Sequence, residues 1–310
     1  RLHSSQAGPG LELRHAPARL RRPGSHPHAL IAQDPAPGSR AGPHALGTAL
    51  GLLVITLTRA AFLGVLQNGF VNWDDPVNFL NNPAYRGLGL SQLKWLFTTF
   101  HMGHYIPLTW LALGADYLVW GMDPTGYHLT SLLFHAATAL CFYAVARRLL
   151  ARTLPARAAP SDIALGAAAA ALLFAVHPLR VESVAWITER RDVVSGLFFM
   201  LALLSWLKQV DAPRAVRLRW YAASLGFFGC ALLSKALAVG LPVVLVVLDV
   251  YPLCRLGTPR DGLHRDVVKE VWLEKIPYVV MAIVASGLVM AATPASAKAS
   301  LETLSLGSRA

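Results

Sequence analysis

The chain has 310 residues, 55% of them hydrophobic and only 15% charged, with a mean hydropathy of +0.46. A soluble domain carries about a quarter charged residues, and here the apolar residues gather in long blocks rather than alternating or amphipathic runs, which excludes an ordinary soluble fold. The net charge of +11 does not point to nucleic acid: the basic residues collect in an N-terminal tail and three short connectors, with no basic helix or aromatic strand motif among them.

Residues 1–44 are rich in Arg, Pro, Gly, Ala and His without a hydrophobic period, and are read as a disordered tail or a translation artefact. Seven apolar segments follow, at 46–66, 127–150, 163–176, 193–207, 220–236, 239–253 and 276–292. Each is near the roughly 20 residues that cross a hydrocarbon core, the third, fourth and sixth being short. A further stretch at 106–120 contains Asp116 and is bounded by Pro107 and Pro124. Its marginal length and its aromatics Trp110, Tyr117 and Trp120 suit an interfacial helix better than a span. The expected fold is therefore all-α, a polytopic bundle of about seven spans over 45–296, with a large first outer loop carrying interfacial helices and a short C-terminal segment at 297–310.

Every second connector is basic. Arg147, Arg148, Arg152 and Arg157 follow the second span, Lys208, Arg214, Arg217 and Arg219 the fourth, and Arg255, Arg260, Arg265 and Lys269 the sixth. By the positive-inside rule these connectors and the N-terminus are cytoplasmic, and the long loop at 67–126 is outside. The connector at 178–192 also lies outside although it holds Arg180, Arg190 and Arg191; Glu182, Glu189 and Asp192 bring it close to neutrality. Charges not needed for topology are candidates for chemistry. The three cysteines, Cys141, Cys230 and Cys254, are far apart and read as apolar packing residues.

Four groups of residues could carry chemistry. Asp74 and Asp75, after Trp73 and before Pro76, could act as a general base or hold a metal, or form a turn at a helix end. His101 and His104 are three apart, with Tyr105, Trp110, His128 and His135 following, and suit hydrogen bonding at an interface or to a substrate better than a metal site. The run from His177 to Asp192 contains six charged groups, which must be paired or wet; ion pairs holding the bundle together are the alternative to a binding role. Lys235, at the outer end of the fifth span, could snorkel or meet a lipid phosphate.

In this order the segments NGFVNWDDP, YIPLTWLALGADYLVWG, GYHLTSLLFHA, FAVHPLRVESVAWITERRDV and SKALAVGLPVVLVVLDVYPL resemble the membrane region of bacterial tetratricopeptide-repeat integral membrane proteins. That region is similar in turn to the eukaryotic transmembrane and tetratricopeptide-repeat protein O-mannosyltransferases. Arg180 and Arg191 depart from the usual histidine and lysine of the family and keep a polar group at each position. The resemblance implies a C-type glycosyltransferase fold with an acidic pair in its first outer loop and a polyprenyl-phosphate sugar as donor. It also implies further spans and a C-terminal repeat array, so the chain is expected to be a fragment.

The expected reaction is transfer of a hexose such as mannose to a hydroxyl, protein Ser or Thr or a glycan, at the outer face of a bacterial inner membrane, or of the endoplasmic reticulum in a eukaryote. Asp74 or Asp75 is the expected base, and Arg190, Arg191, Lys235 and Arg180 are the expected ligands of the donor phosphate. Trp73, His104, Tyr105, Trp110, His128, His177 and Glu182 are the expected substrate lining. A divalent metal at Asp74 and Asp75 is left open, and no other cofactor is indicated. The alternative is a non-catalytic scaffold acting through repeats; a transporter is disfavoured because the ionisable residues sit at span ends.

Overall fold

A computed structural model describes residues 43–256 and 265–292, so the expectations for 1–42, 257–264 and 293–310 lie outside the described residues. Among the described residues there are helices and turns and no strand. The chain is an all-α membrane bundle.

Helix α1 (Pro43–Ala61) leads through a 3-10 turn (Leu63–Gln67) into the first loop. The loop folds into α2 (Leu90–Thr98), α3 (Pro107–Trp120) and short turns at Pro76–Leu80 and Pro83–Tyr85. Then come α4 (Pro124–Thr153), α5 (Pro160–Ala175), the short α6 (Arg180–Ala185), α7 (Arg190–Asp211) and α8 (Arg214–Ser234). Beyond them lie α9 (Leu241–Val250), α10 (Arg265–Leu273) and α11 (Ile276–Ala292). Proline opens α3, α4 and α5, where its missing N–H and fixed φ are tolerated.

Each of the seven apolar segments corresponds to a helix. Three stretches are long and apolar enough to cross a membrane: Pro124–Thr153, Ile187–Asp211 and Val268–Ala292. Three others, Ala45–Ala61, Pro160–Ala175 and Ala236–Val250, are apolar but shorter. Helix α8 has 21 residues and carries Arg214, Arg217 and Arg219 in its first two turns.

Side-chain pairs fix how the helices run. At one end Arg148 and Arg152 of α4 meet Asp211 of α7, while Gln209 of α7 and Arg217 of α8 meet Glu274, between α10 and α11. Asp249 of α9 joins them through Arg255 and Lys275. At the other end Arg190, the first residue of α7, reaches the start of α4, and Lys235, just after α8, reaches Glu189. The three basic connectors thus gather at one end of the bundle, and the first loop closes over the other. The 22 residues of α7 separate the two ends by about 33 Å.

Small and aromatic side chains fill the interior. Ala167, Ala168, Ala171 and Ala175 let α5 approach α1 and α4 closely, and Trp206, Phe228 and Tyr278 pack among α7, α8 and α11. A separate aromatic cluster, Phe79, Tyr85, Trp110 and Tyr127, is the core of the first loop.

Candidate functional site

The first loop and the 177–192 connector meet over the start of α7. Asp75 is fully buried at this junction. One carboxylate oxygen accepts from Trp186 Nε1 at 2.9 Å and Thr188 Oγ1 at 2.7 Å, and the other from the Val71 N–H at 2.7 Å. Asn78 adds a bond to Thr188 at 3.0 Å. Three donors meet the carboxylate, so Asp75 is a clasp between two outer segments. Expected as a base or metal ligand, Asp75 here faces inward and is closed off from solvent.

Asp74 points the other way. Its half-buried carboxylate has no ion pair or side-chain hydrogen bond among the described residues, and it lines a small cleft with His101, His104, Thr109, Trp110, Thr188 and Arg191. The cleft is small, with about 30 Å³ of space. Two buried groups in its wall, Trp110 Nε1 and His101 Nε2, have no hydrogen-bond partner. Trp110 is only 2% exposed, so its N–H has little access to bulk water. Such orphaned groups are costly unless a water or ligand meets them, which marks the cleft as a place for a polar guest. Burial holds the His104 imidazole below its ordinary pKa, Arg191 pushes it further the same way, and Glu189 and Asp74 oppose both. Burial likewise lowers His101. Both rings are held toward the neutral form at pH 7.

The cations divide in the same manner. Arg190 is fully buried and bonds to Asp116 at 2.6 Å, to Ser131 at 2.8 Å and to the Tyr127 carbonyl. It locks α3, α4 and α7 together and cannot meet a donor phosphate, which corrects that assignment. Arg191 emerges at the cleft, where Glu189 takes it in a two-bond pair. Lys235 bonds to Glu189 at 3.1 Å and also pairs with Asp192, which accepts from Ser183 Oγ at 2.9 Å. Two cations and two carboxylates form one partly exposed network, and Thr109 Oγ1 on the Ser234 carbonyl, 3.0 Å, ties α3 to the end of α8 beside it.

An apolar groove of about 290 Å³ runs between α8 and α11, lined by Leu232, Leu233, Ala236, Met281, Val284 and Leu288 and closed at one side by Tyr105. Tyr105 hydrogen-bonds to the Phe97 carbonyl at 3.1 Å. Ala236 follows Lys235, so the groove ends beside the charged network.

Of the other expected site residues, Trp110 and His104 line the cleft and Tyr105 the groove. Trp73 is 75% exposed, and His177 and Glu182 are exposed and lie outside the cleft lining. Arg180 lies over the Phe174 ring of α5 at 4.7 Å, and His128 is buried with Nε2 3.5 Å from the Gly69 carbonyl. Arg180 is thereby directed toward α5, and α4 carries His128 into its packed face. Thr188, Asn78 and Asp116 were missed as partners of the acidic pair and the arginine; Asp116, a charge within an apolar helix, was the visible signal. Among the described residues no group of three His, Cys, Asp or Glu side chains comes together as a metal site.

Comparison with known proteins bears on this geometry. The chain is 34% identical over 142 residues to the protein O-mannosyl-transferase Tmtc3 of Drosophila melanogaster, covering 43% of this chain and 15% of that protein. It is 37% identical over 156 residues to Tmtc1 of the same organism, 48% of this chain and 17% of that protein, and 29% identical over 202 residues to TMTC3 of Mus musculus, 62% and 20%. This chain resembles the protein O-mannosyl-transferases. It spans about a fifth or less of the length of these curated relatives. No family model matches the chain, and no solved structure matches it.

Proposed function

We propose that the protein is a membrane glycosyltransferase that moves a hexose, mannose by its likeness to the relatives' named activity, from a polyprenyl-phosphate donor to a protein hydroxyl. The observation that supports this reading is a chain of neighbours: an apolar groove lined by Ala236, the adjoining Lys235 paired with Glu189, and Arg191, which shares Glu189 and lines the cleft with the unpaired Asp74. The active face is the non-cytoplasmic one, of a bacterial inner membrane or of the endoplasmic reticulum, and the tetratricopeptide repeats of the family would present acceptors to it.

The donor phosphate approaches Arg191 and Lys235, which Glu189 and Asp192 hold in place. In this reading the acceptor oxygen enters the cleft beside Asp74. Asp74 takes the hydroxyl proton as the oxygen attacks the anomeric carbon. The bond from that carbon to the phosphate oxygen breaks, the phosphate leaves with the electron pair, and its growing charge falls on Arg191 and Lys235. Attack from the face opposite the leaving group inverts the anomeric centre.

Steady-state transfer by the full-length protein from a polyprenyl-phosphate-mannose donor tests the cationic half. Lys235→Gln is expected to raise the donor KM and lower kcat, with a loss of roughly 10- to 100-fold in kcat/KM for one charge-assisted contact. Unchanged donor kinetics in both Lys235→Gln and Arg191→Gln would remove the phosphate site.

A further inference from the structure

A second site lies at the opposite end of the bundle, unrelated to sugar transfer. Among the concavities at that end, two differ in their charged lining. One, of about 320 Å³, is lined by Gln209, Arg214, Arg217, Leu218, Tyr221 and Glu274. Glu274 accepts from Arg217 at 2.6 Å and from Arg255 at 2.6 Å, so this concavity carries a carboxylate within its own lining.

The other, of about 480 Å³, lies among the end of α4, the start of α5 and the end of α7. Arg147, Arg148 and Lys208 line it, and no carboxylate does. Arg148 is shared with Asp211 outside the lining. Arg147 and Lys208 have no ion pair among the described residues; Arg147 lies over the Tyr143 ring at 5.6 Å with its guanidinium beside Gly47 of α1, and Lys208 lies over Trp220 at 4.3 Å. An aromatic face orients a cation without cancelling its charge.

The rest of the lining is apolar: Ala144, Ala151, Pro160, Ile163 and Leu204. At helical spacing Leu140 of α4 and Leu201 of α7 continue the wall along the helix faces, away from the charged rim. Leu140 is exposed. A ligand here must present an anion at the rim and hydrocarbon below it.

We propose that this groove binds the headgroup of an anionic phospholipid, its phosphate held by Arg147 and Lys208 and an acyl chain running down past Leu204 and Leu140. The apolar wall distinguishes such a lipid from a soluble phosphate, and the acid-free rim distinguishes it from a choline lipid, whose ammonium would meet three cations and no partner. The volume suits a headgroup, falling within the range of small-molecule sites. Under the topology expected from the basic connectors this is the cytoplasmic leaflet, where anionic lipids attract basic residues near the surface.

Native mass spectrometry of the full-length protein with phosphatidylglycerol or with phosphatidylcholine of the same chains tests the site. The wild type should retain phosphatidylglycerol in preference, and the Arg147→Gln, Lys208→Gln double variant should weaken it by roughly 30-fold, two charges lost near the surface. The charge-keeping pair Arg147→Lys and Lys208→Arg should retain it, as should Arg217→Gln in the concavity that carries Glu274. Equal retention of the two lipids by the wild type would overturn the proposal and needs no variant to fold. An unaffected double variant, an equal loss in Arg217→Gln, or displacement of the lipid by millimolar inorganic phosphate would overturn it as well.

Discussion

The two ends of the α7–α8 hairpin are both dense in charge, yet they are organised differently. Beneath the first loop every cation found in the ion-pair network has a carboxylate partner, and the carboxylate that stands apart, Asp74, lines a cleft. At the far end cations exceed acids, and Arg147 and Lys208 lie on aromatic rings with no ion pair among the described residues. Excess positive charge suits topology and lipid contact, where each charge acts nearly alone in water. Chemistry next to an apolar interior needs charges fixed by one another, because an unpaired buried ion is expensive. Within the ordered end the division repeats between neighbours: Asp75 and Arg190 face inward and hold the fold, while Asp74 and Arg191 face the cleft.

Substitutions should break this contrast in a definite order. Arg190→Met removes the partner of buried Asp116 and should cost about 3–5 kcal/mol, read as a large fall in the thermal midpoint in detergent. A fall no larger than that of a surface arginine would mean Arg190 is not the buried lock described. Asp75→Asn keeps the shape but sets an amide N–H2 against donors from Trp186, Thr188 or Val71, and should destabilise by about 1.5–3 kcal/mol. Because Asp75 is a clasp, transfer per folded molecule should survive in that variant; complete loss of turnover in well-folded Asp75→Asn would reassign the base.

His104 gives a smaller, pH-dependent effect. Its folded pKa is lowered by burial and by Arg191, so the unfolded chain takes up a proton first as pH falls. The stability this ring contributes is fully present above its unfolded pKa of about 6.5 and is lost as pH falls toward the folded value. The midpoint should drop between pH 7.5 and 5.5 in the wild type and drop less in His104→Gln; parallel profiles would show that His104 is not the group titrating. Smallest of all, Arg148→Gln at the far end loses an exposed pair with Asp211 and should change stability by about 0–1 kcal/mol, less in high salt.

The helices were legible in the sequence because hydrocarbon demands long apolar runs: the last segment expected, 276–292, is α11 residue for residue, and 106–120 is α3 within one residue. The clustering of three basic connectors at one end was legible for the same reason. Which of two adjacent charged residues faces inward was not. Arg190 begins α7, and successive helical residues point about 100° apart, so either arginine could have turned toward Asp116 until the position of α3 was known. Asp75 and Asp74 were indistinguishable likewise, since the donors that bury Asp75 come from Trp186 and Thr188, more than a hundred positions away. The charged network at Lys235 was visible only as separate pieces, a snorkelling lysine and a nearly neutral connector.

The division between Asp74 and Asp75 is tested most directly by sugar transfer from a polyprenyl-phosphate-mannose donor, comparing full-length wild type with Asp74→Asn and Asp75→Asn at equal folded concentration. Loss of the general base should cut turnover in Asp74→Asn by about 10²- to 10⁴-fold while its thermal midpoint stays near that of the wild type, and Asp75→Asn should show the reverse. Wild-type turnover in folded Asp74→Asn would contradict the assignment of this cleft as the site of transfer.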